Sequence, residues 1–526
     1  MDEFLLRLVI RFPGFIRAIS RITCIRRWIS DFYINMQAYS AIPRPRPFSL
    51  ASSYTTWRSL TDRSYTGRHL PEAEGVLNLP EIQKVVSLWR RRENQEIPSA
   101  NTSLLFTFFA QWFTDSFLRT DVTDRRKNTS NHEIDFCQIY GLREQITDIL
   151  RLKQDGKMKF QIINGEVYPP YLFNVEETTK GHWVFASPEF EKLHPRYALD
   201  FIFGNVPEER LKRMFAVGLT NGNSSIGYTI LNTIMIREHN RICDLLKGAH
   251  SEWDDERLFQ TARNIMIVFL IKVVLRDYIG HFSQIGFTLD PTPGMAEKQN
   301  WYRTNWISLE FNLLYRWHCL VPEKVLLGDK QFILDDIRSN TPMVMEYGIE
   351  PLVTAASKQR VGRIGLYNSA SFFFEPLPMG NDDRSVMERT VEMGRRFKLR
   401  PYNDYREAFS MPRLTSFEEL TSDPQLQQEL KELYNGRIDD LEWHVGIFAE
   451  DHGESFMLGR LMTRMVGYDA FTHALTNPLM SQNVYNDKTF SRTGLSIIDE
   501  TGTLGDIISR NVKDTSNLVA SFETPQ

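Results

Sequence analysis

Apolar residues recur at three- and four-residue intervals along most of this chain, the spacing that gives a helix one buried face. Leu104 to Leu118 is apolar and aromatic, Thr229 to Leu246 and Asp255 to Gly280 carry the helical interval, and Trp306 to His318 and Phe456 to Leu475 look similar. Strand signals are short and few, near Val167 to Phe173. Internal repeats and low-complexity tracts are absent, and Asn368 to Asp383 reads as a long aromatic and proline-containing loop. The expected class is mainly α, with helices buried on most sides.

The first 40 residues or so have a different pattern. Phe4, Leu5, Leu6, Leu8, Val9, Ile10, Phe12, Phe15 and Ile16 alternate with Arg7, Arg11, Arg17, Arg21, Arg26 and Arg27, with only Asp2 and Glu3 as acids before Asp31. An amphipathic helix of this kind suits a membrane interface, its apolar face entering the acyl boundary while the cations meet anionic headgroups. The alternative is a helix packed on the domain with its arginines in solvent. A linker, Ile42-Pro43-Arg44-Pro45-Arg46-Pro47, follows and cannot be helical, because proline blocks the backbone ladder. The expected division is a membrane-binding segment with its linker over 1–47 and a catalytic domain over 48–526.

Composition narrows the function class. The 526 residues are 42% hydrophobic and 12% aromatic, enough for a large core in one big domain or two to four smaller ones. A net charge of -4 argues against a nucleic-acid protein. Cys24, Cys137, Cys243 and Cys319 are scattered without a CxxC pair, so neither a zinc knuckle nor a disulfide framework is indicated, and a reducing compartment fits best. No apolar run reaches the roughly 20 residues that span a bilayer. Arg7 and Arg11 interrupt the N-terminal apolar stretch and no small-residue cleavage site follows, so no signal peptide is expected. Together these readings place the protein inside the cell as a peripheral, monotopic membrane protein.

The segment Phe311-Asn312-Leu313-Leu314-Tyr315-Arg316-Trp317-His318 holds the candidate chemistry. On a helix, Tyr315 and His318 would share a face, roughly 5–6 Å apart at Cβ. A histidine can ligate iron through a ring nitrogen, and a tyrosine held nearby can be oxidised to a radical. The spacing alone equally describes ordinary packing.

Other segments supply a context. Phe106-Thr107-Phe108-Phe109-Ala110-Gln111-Trp112-Phe113-Thr114-Asp115 resembles the distal haem helix of the cyclooxygenase and animal haem peroxidase superfamily, and His132 to Gly141 resembles its Asp-containing segment ending in Ile-Tyr-Gly. Ile236 to Arg241 and Trp253 to Arg263 are similar to the family's long helix pair, Phe311 to His318 to its proximal helix, and Tyr402 to Phe409 and Ser416 to Thr421 to further cyclooxygenase segments. The resemblance covers roughly residues 50 to 490, and so many segments in the same order are specific.

The resemblance implies a haem b (heme b) cofactor with His318 as proximal iron ligand, and a Tyr315 radical that abstracts a bisallylic or α hydrogen from a fatty acid before O2 adds. Asn312, one turn earlier, either packs or orients the ligand. Gln111 matches the family's distal glutamine. Four residues later the family has a distal histidine that accepts and returns the peroxide proton; here Asp115 stands in its place. A carboxylate with a raised pKa can still act as general acid or base. Crippled peroxide activation and an altered residue at 115 are the other readings. Weak peroxidase turnover is the expectation, with dioxygenation surviving if traces of hydroperoxide start the radical.

Tyr278, Ile279, Phe282, Ser283, Phe311, Trp317, Val466 and Gly467 match substrate-channel positions, a set of side chains suited to an acyl tail and equally suited to a core. At the channel mouth Ile285 replaces a tyrosine, Ala470 replaces the serine that aspirin acetylates, and no arginine aligns near residue 38 with the family's carboxylate binder. These departures point away from prostaglandins and toward a simpler fatty-acid hydroperoxide. His132, near the distal segment, either approaches the haem or is a hydrogen-bonded structural group, and Arg237, Glu238, His239 and Arg241 read as a satisfied polar shell in a helix beside the cofactor. Ser116 and the 131–137 loop match a calcium site found in some peroxidases, but Asp135 is the sole carboxylate at a matched position, whereas calcium takes several charges. Calcium is therefore not expected. Fatty acid, O2 and a membrane surface are the implied partners, with a homodimer as the family's tendency. A peroxidase or hydroperoxide isomerase, and a non-catalytic haem protein at the membrane surface, are the rivals.

Overall fold

The computed structural model describes residues 18–39, 48–75, 78–195, 206–283, 287–377, 382–453 and 456–525. The architecture is mainly helical, as the periodicity predicts, and its sheet is limited, among the described residues, to three two-stranded antiparallel pairs. The strand expected near Val167 to Phe173 is a hairpin set slightly earlier. Gln161–Ile163 pairs with Glu166–Tyr168 across Asn164 and Gly165, both at positive φ, the residue pair that a tight hairpin turn favours.

Helix α1 (Thr23–Ala38) buries Ile29, Ile34 and Ala38 in the common core and ties itself down through Arg26, whose guanidinium donates to Asp290 at 2.9 Å. The second half of the N-terminal block thus packs on the domain, while its first 17 residues, and the proline linker from 40 to 47, lie outside the described residues.

Helix α2 (Leu104–Thr114) starts directly from the strand Pro98–Ser103, and Ser103 caps it by accepting from the Phe106 N–H. The helix ends four residues earlier than its apolar pattern, with Asp115 as C-cap. Helix α3 (Ile226–Ala249), capped by Ser225, and helix α4 (Asp255–Val273), capped by Asp254, form the long central pair. Such caps each contribute on the order of 1 kcal/mol.

Helix α4 continues through a π turn at Val274–Tyr278 into Ile279–Ser283. Counted as one run, 255–282 is long and apolar enough to cross a membrane, which corrects the expectation that no such run exists. Its apolar window is 78% buried in the fold, so length and composition here reflect a core helix.

Helix α5 (Leu309–Leu314), capped by Ser308, is much shorter than the expected 306–318 helix. The chain leaves helical geometry at Tyr315 and Trp317 and resumes as a 3-10 turn at His318–Leu320, so Tyr315 and His318 are not neighbours on one helical face. Consecutive side chains find partners on different sides: Trp317 packs on Phe106 and Phe282, Arg316 donates back to Asn312 Oδ1 at 2.7 Å, and His318 stacks on Phe373. Helices α6 (Val386–Arg396), α7 (Arg460–Leu475) and α8 (Asp487–Glu500) complete the frame, with α7 between α1 and α5 and α8 against α4.

Candidate active site

The strand that leads into α2 pairs with Arg360–Gly362, and this second strand lies against the 318–320 turn. Gly362 makes the approach possible, since a Cβ there would fall 2.3 Å from the Cys319 carbonyl oxygen. One short sheet therefore holds α2 and the Tyr315–His318 segment beside each other.

Between them lies a cavity of about 410 Å³. Gln111 and Asp115 line it from α2, and Asn312, Tyr315, Arg316 and His318 from the other segment. Trp317 also lines it, and Phe372, Phe373 and Leu377 cover it from the loop read as aromatic in the sequence.

His318 presents the chemistry of a metal ligand. Its Nδ1 lies 3.0 Å from the Met387 sulfur, and the Nδ1–H tautomer donates there, leaving a lone pair on Nε2. Burial, with Arg316 and His444 nearby, pushes its pKa down to about 3, so the imidazole is neutral. Aliphatic walls from Leu320, Val325, Leu334 and Ile337 suit a flat apolar macrocycle, and the guanidinium of Arg338, 46% exposed, suits its carboxylates. This donor set fits the haem that the sequence resemblance implies.

On the α2 side, burial pushes the Asp115 carboxyl up to about 6, against the opposing pull of Arg119, Arg316 and the Asn221 hydrogen bond. The Asn221 amide donates to the Asp115 carboxylate, and Arg119 donates to the Asp115 carbonyl and to Asn221 Oδ1, each at 3.3 Å. Gln111 Oε1 accepts from the Ser225 hydroxyl at 3.4 Å. Asn312 donates to Thr120 and accepts from Arg316, which makes it a brace between the two walls.

The Tyr315 ring is gripped by Phe311 and Trp317, with centroids 5.1 and 4.7 Å away. Burial and the charge of Asp469 push its phenol well above the ordinary range, so the O–H stays protonated.

The remaining expected channel residues do not line this cavity. Tyr278, Ile279, Phe282, Phe311, Val466 and Ala470 are buried in the core, with Tyr278 stacked on Phe106 at 4.8 Å. Gly467 faces Gln37 of α1. Ile285 and the side chain of Ser283 lie outside the described residues. His132 accepts from the Ile307 N–H and contacts the Arg63 carbonyl, away from the cavity. Arg237 donates to Val167 and Asn511 carbonyls, Glu238 pairs with Arg241 and Arg510, and His239 meets Tyr140 at 2.7 Å. Asp135 accepts from Cys137 and Asn131, and the Ser116 hydroxyl donates to the Phe113 carbonyl. Sequence reasoning missed Asn221, Met387 and Phe373. Only the Phe372-Phe373-Phe374 run carried a signal, as an aromatic loop with no assigned place.

A family model described as animal haem peroxidase matches residues 116–522. Prostaglandin G/H synthase 1 of Mus musculus is 34% identical over 517 residues, which cover 96% of this chain and 79% of that protein. Prostaglandin G/H synthase 2 of Equus caballus is 31% identical over 507 residues, covering 94% and 78%. Among solved structures, the fatty acid alpha-dioxygenase of Arabidopsis thaliana superposes with a TM-score of 0.70 at 17% identity, covering 100% of this chain and 93% of that one. Peroxidase A from Dictyostelium discoideum gives 0.67 at 19% identity, covering 92% and 96%. At these identities the structural likeness speaks to the fold.

Proposed function

The chain belongs to the animal haem peroxidase family, and from that premise we propose that it is an oxidoreductase that dioxygenates unsaturated fatty acids to fatty-acid hydroperoxides. His318 would hold haem b, with Arg338 toward its carboxylates. When bound, the haem supplies oxidising power drawn from a peroxide. Asp115, oriented by Asn221 and Arg119, takes the peroxide proton and returns it, less effectively than a histidine would, so peroxidase turnover is weak.

Tyr315 gives up an electron and its phenolic proton to become a neutral radical. The radical removes a bisallylic hydrogen from the acid, re-forming the phenol and leaving a carbon radical to which O2 adds. The resulting peroxyl takes the hydrogen back from Tyr315, which yields the hydroperoxide and restores the radical. Aromatic packing on Tyr315 excludes water from this cycle. Ala470 and Ile285, in place of the family's serine and tyrosine, favour a simple hydroperoxide over a ring-closed product.

The observation that carries this reading is that two pairs of residues far apart in sequence, Gln111 with Asp115 and Tyr315 with His318, line one cavity. Oxygen uptake with fresh linoleate tests it: haem-loaded Tyr315→Phe should keep its Soret band and lose uptake to background. Uptake unchanged by that substitution would sink the radical mechanism.

The same reading makes the protein a peripheral, intracellular membrane protein, with 1–47 as its anchor. Free cysteines, three of them buried, and the exposed Ile22 and Trp28 on α1 and its entry support it.

A further inference from the structure

An unbroken line of aromatic contacts leads from Tyr315 to the segment 513–525. Tyr315 packs on Trp317, whose ring stacks on Phe106 at 6.4 Å, and Phe106 in turn meets Tyr278 at 4.8 Å and Phe522 at 5.5 Å. Phe522 also touches Phe109 and Tyr278, so it closes the far end of the line. Beyond Tyr315 each of these rings is 5% exposed or less, and an acyl tail that is to lie along them has to displace one. They are not equally held. Phe106 and Phe109 sit in α2, Tyr278 in the π turn, and Trp317 between α5 and the His318 turn. Phe522 stands on a strap whose residues 513–517 are exposed, 518–521 half-buried and Glu523 exposed. Two backbone hydrogen bonds lay the strap on the strand Pro98–Ser103: the Ser103 N–H donates to the Phe522 carbonyl at 2.9 Å, and the Thr524 N–H to the Asn101 carbonyl at 2.8 Å.

The packed arrangement also leaves the Tyr278 hydroxyl buried without a partner, which is costly away from water. Tyr278 belongs to a π turn, a form frequent at functional sites. We propose that the strap is a displaceable plug, and that the acyl tail of the substrate lies along the aromatic line by taking the place of Phe522. The proposal rests on the fatty-acid reading given above. The exchange sets one apolar group in the place of another, so the surroundings of Tyr315 stay dry, and the strap's flanks are already in water.

Thr102 and Glu523 face each other as a non-hydrogen-bonded antiparallel pair, whose Cα separation of about 4.5 Å suits a disulfide. Thr102→Cys combined with Glu523→Cys therefore locks the strap. In the full-length, haem-loaded protein, isothermal titration with linoleate should show the oxidised double variant binding about tenfold or more weakly than its dithiothreitol-reduced form. Phe522→Ala should bind linoleate about tenfold more tightly than the wild type, and linoleate should speed amide hydrogen exchange at Thr524 of the wild type. Equal binding by the locked and reduced forms, unchanged affinity in Phe522→Ala, or Thr524 protection that linoleate leaves unchanged would each overturn the proposal. Should the cross-link not form or Phe522→Ala not fold, hydrogen exchange in the wild type decides. Binding and strap release without any oxygen uptake would uphold the plug and refute the dioxygenase. Equal oxygen uptake by the locked and reduced forms would refute the plug and leave the dioxygenase standing.

Discussion

In the proposed mechanism a carboxylate with a pKa pushed up to about 6, Asp115, passes the peroxide proton, and its working range follows from that value. Above about 6 Asp115 is ionised and can accept a proton; below it the group is already protonated and cannot act as a base. Peroxidase turnover with a lipid hydroperoxide and a reducing cosubstrate should therefore rise as pH increases through about 6 and level off above it. Asp115→Asn should be low and flat across that range, and Asp115→His should raise turnover roughly a hundredfold, the lower end of what a well-matched acid–base group contributes. A wild-type profile flat in pH, or turnover equal to that of the histidine variant, would refute the role. At this scale the sequence was informative about residue type: Gln111, Asp115, Tyr315 and His318 could be named from ordered segments. It said nothing of Asn221 or Met387, because their contacts cross 106 and 69 residues of chain and no local pattern encodes them.

Helices with strong periodicity were legible, and their ends were less so. Helix α2 stops at Thr114 and α5 at Leu314 although apolar residues continue beyond both. Beyond the break at Tyr315, Trp317 is buried against Phe106 and Phe282 while His318 stacks on Phe373, and both line the cavity. The Pro98–Ser103 strand has no apolar alternation to announce it, yet it fixes the relation of α2 to the His318 turn through Arg360–Gly362. Gly362→Ala should push that strand away from the Cys319 carbonyl, costing about 1–3 kcal/mol of stability by overpacking. Haem affinity should fall with it, because the same turn carries His318. Thermal denaturation and haem titration check both; a variant with wild-type midpoint and affinity would show that the contact is slack.

For the whole molecule, the question is how it meets a lipid substrate. Large apolar residues remain exposed along its N-terminal region, with Trp28 at 60%, Tyr54 at 74% and Trp57 at 80%. Amphipathic aromatics beside arginines suit a headgroup interface. The full-length protein should co-sediment with phosphatidylserine-containing vesicles, and Trp28→Ser with Trp57→Ser should weaken that binding about tenfold, a loss of on the order of 1.4 kcal/mol. Binding indifferent to both substitutions would remove these aromatics from the interface. By itself the sequence determined the helical class and the family and named the candidate side chains, since periodicity and ordered segments are local properties of the chain. Only the tertiary structure decided that Tyr315 and His318 leave helical geometry, that the 255–282 run is core, and that Phe522 closes a line of rings leading from Tyr315. Those outcomes depend on which surfaces bury one another, a choice made by packing between residues hundreds of positions apart.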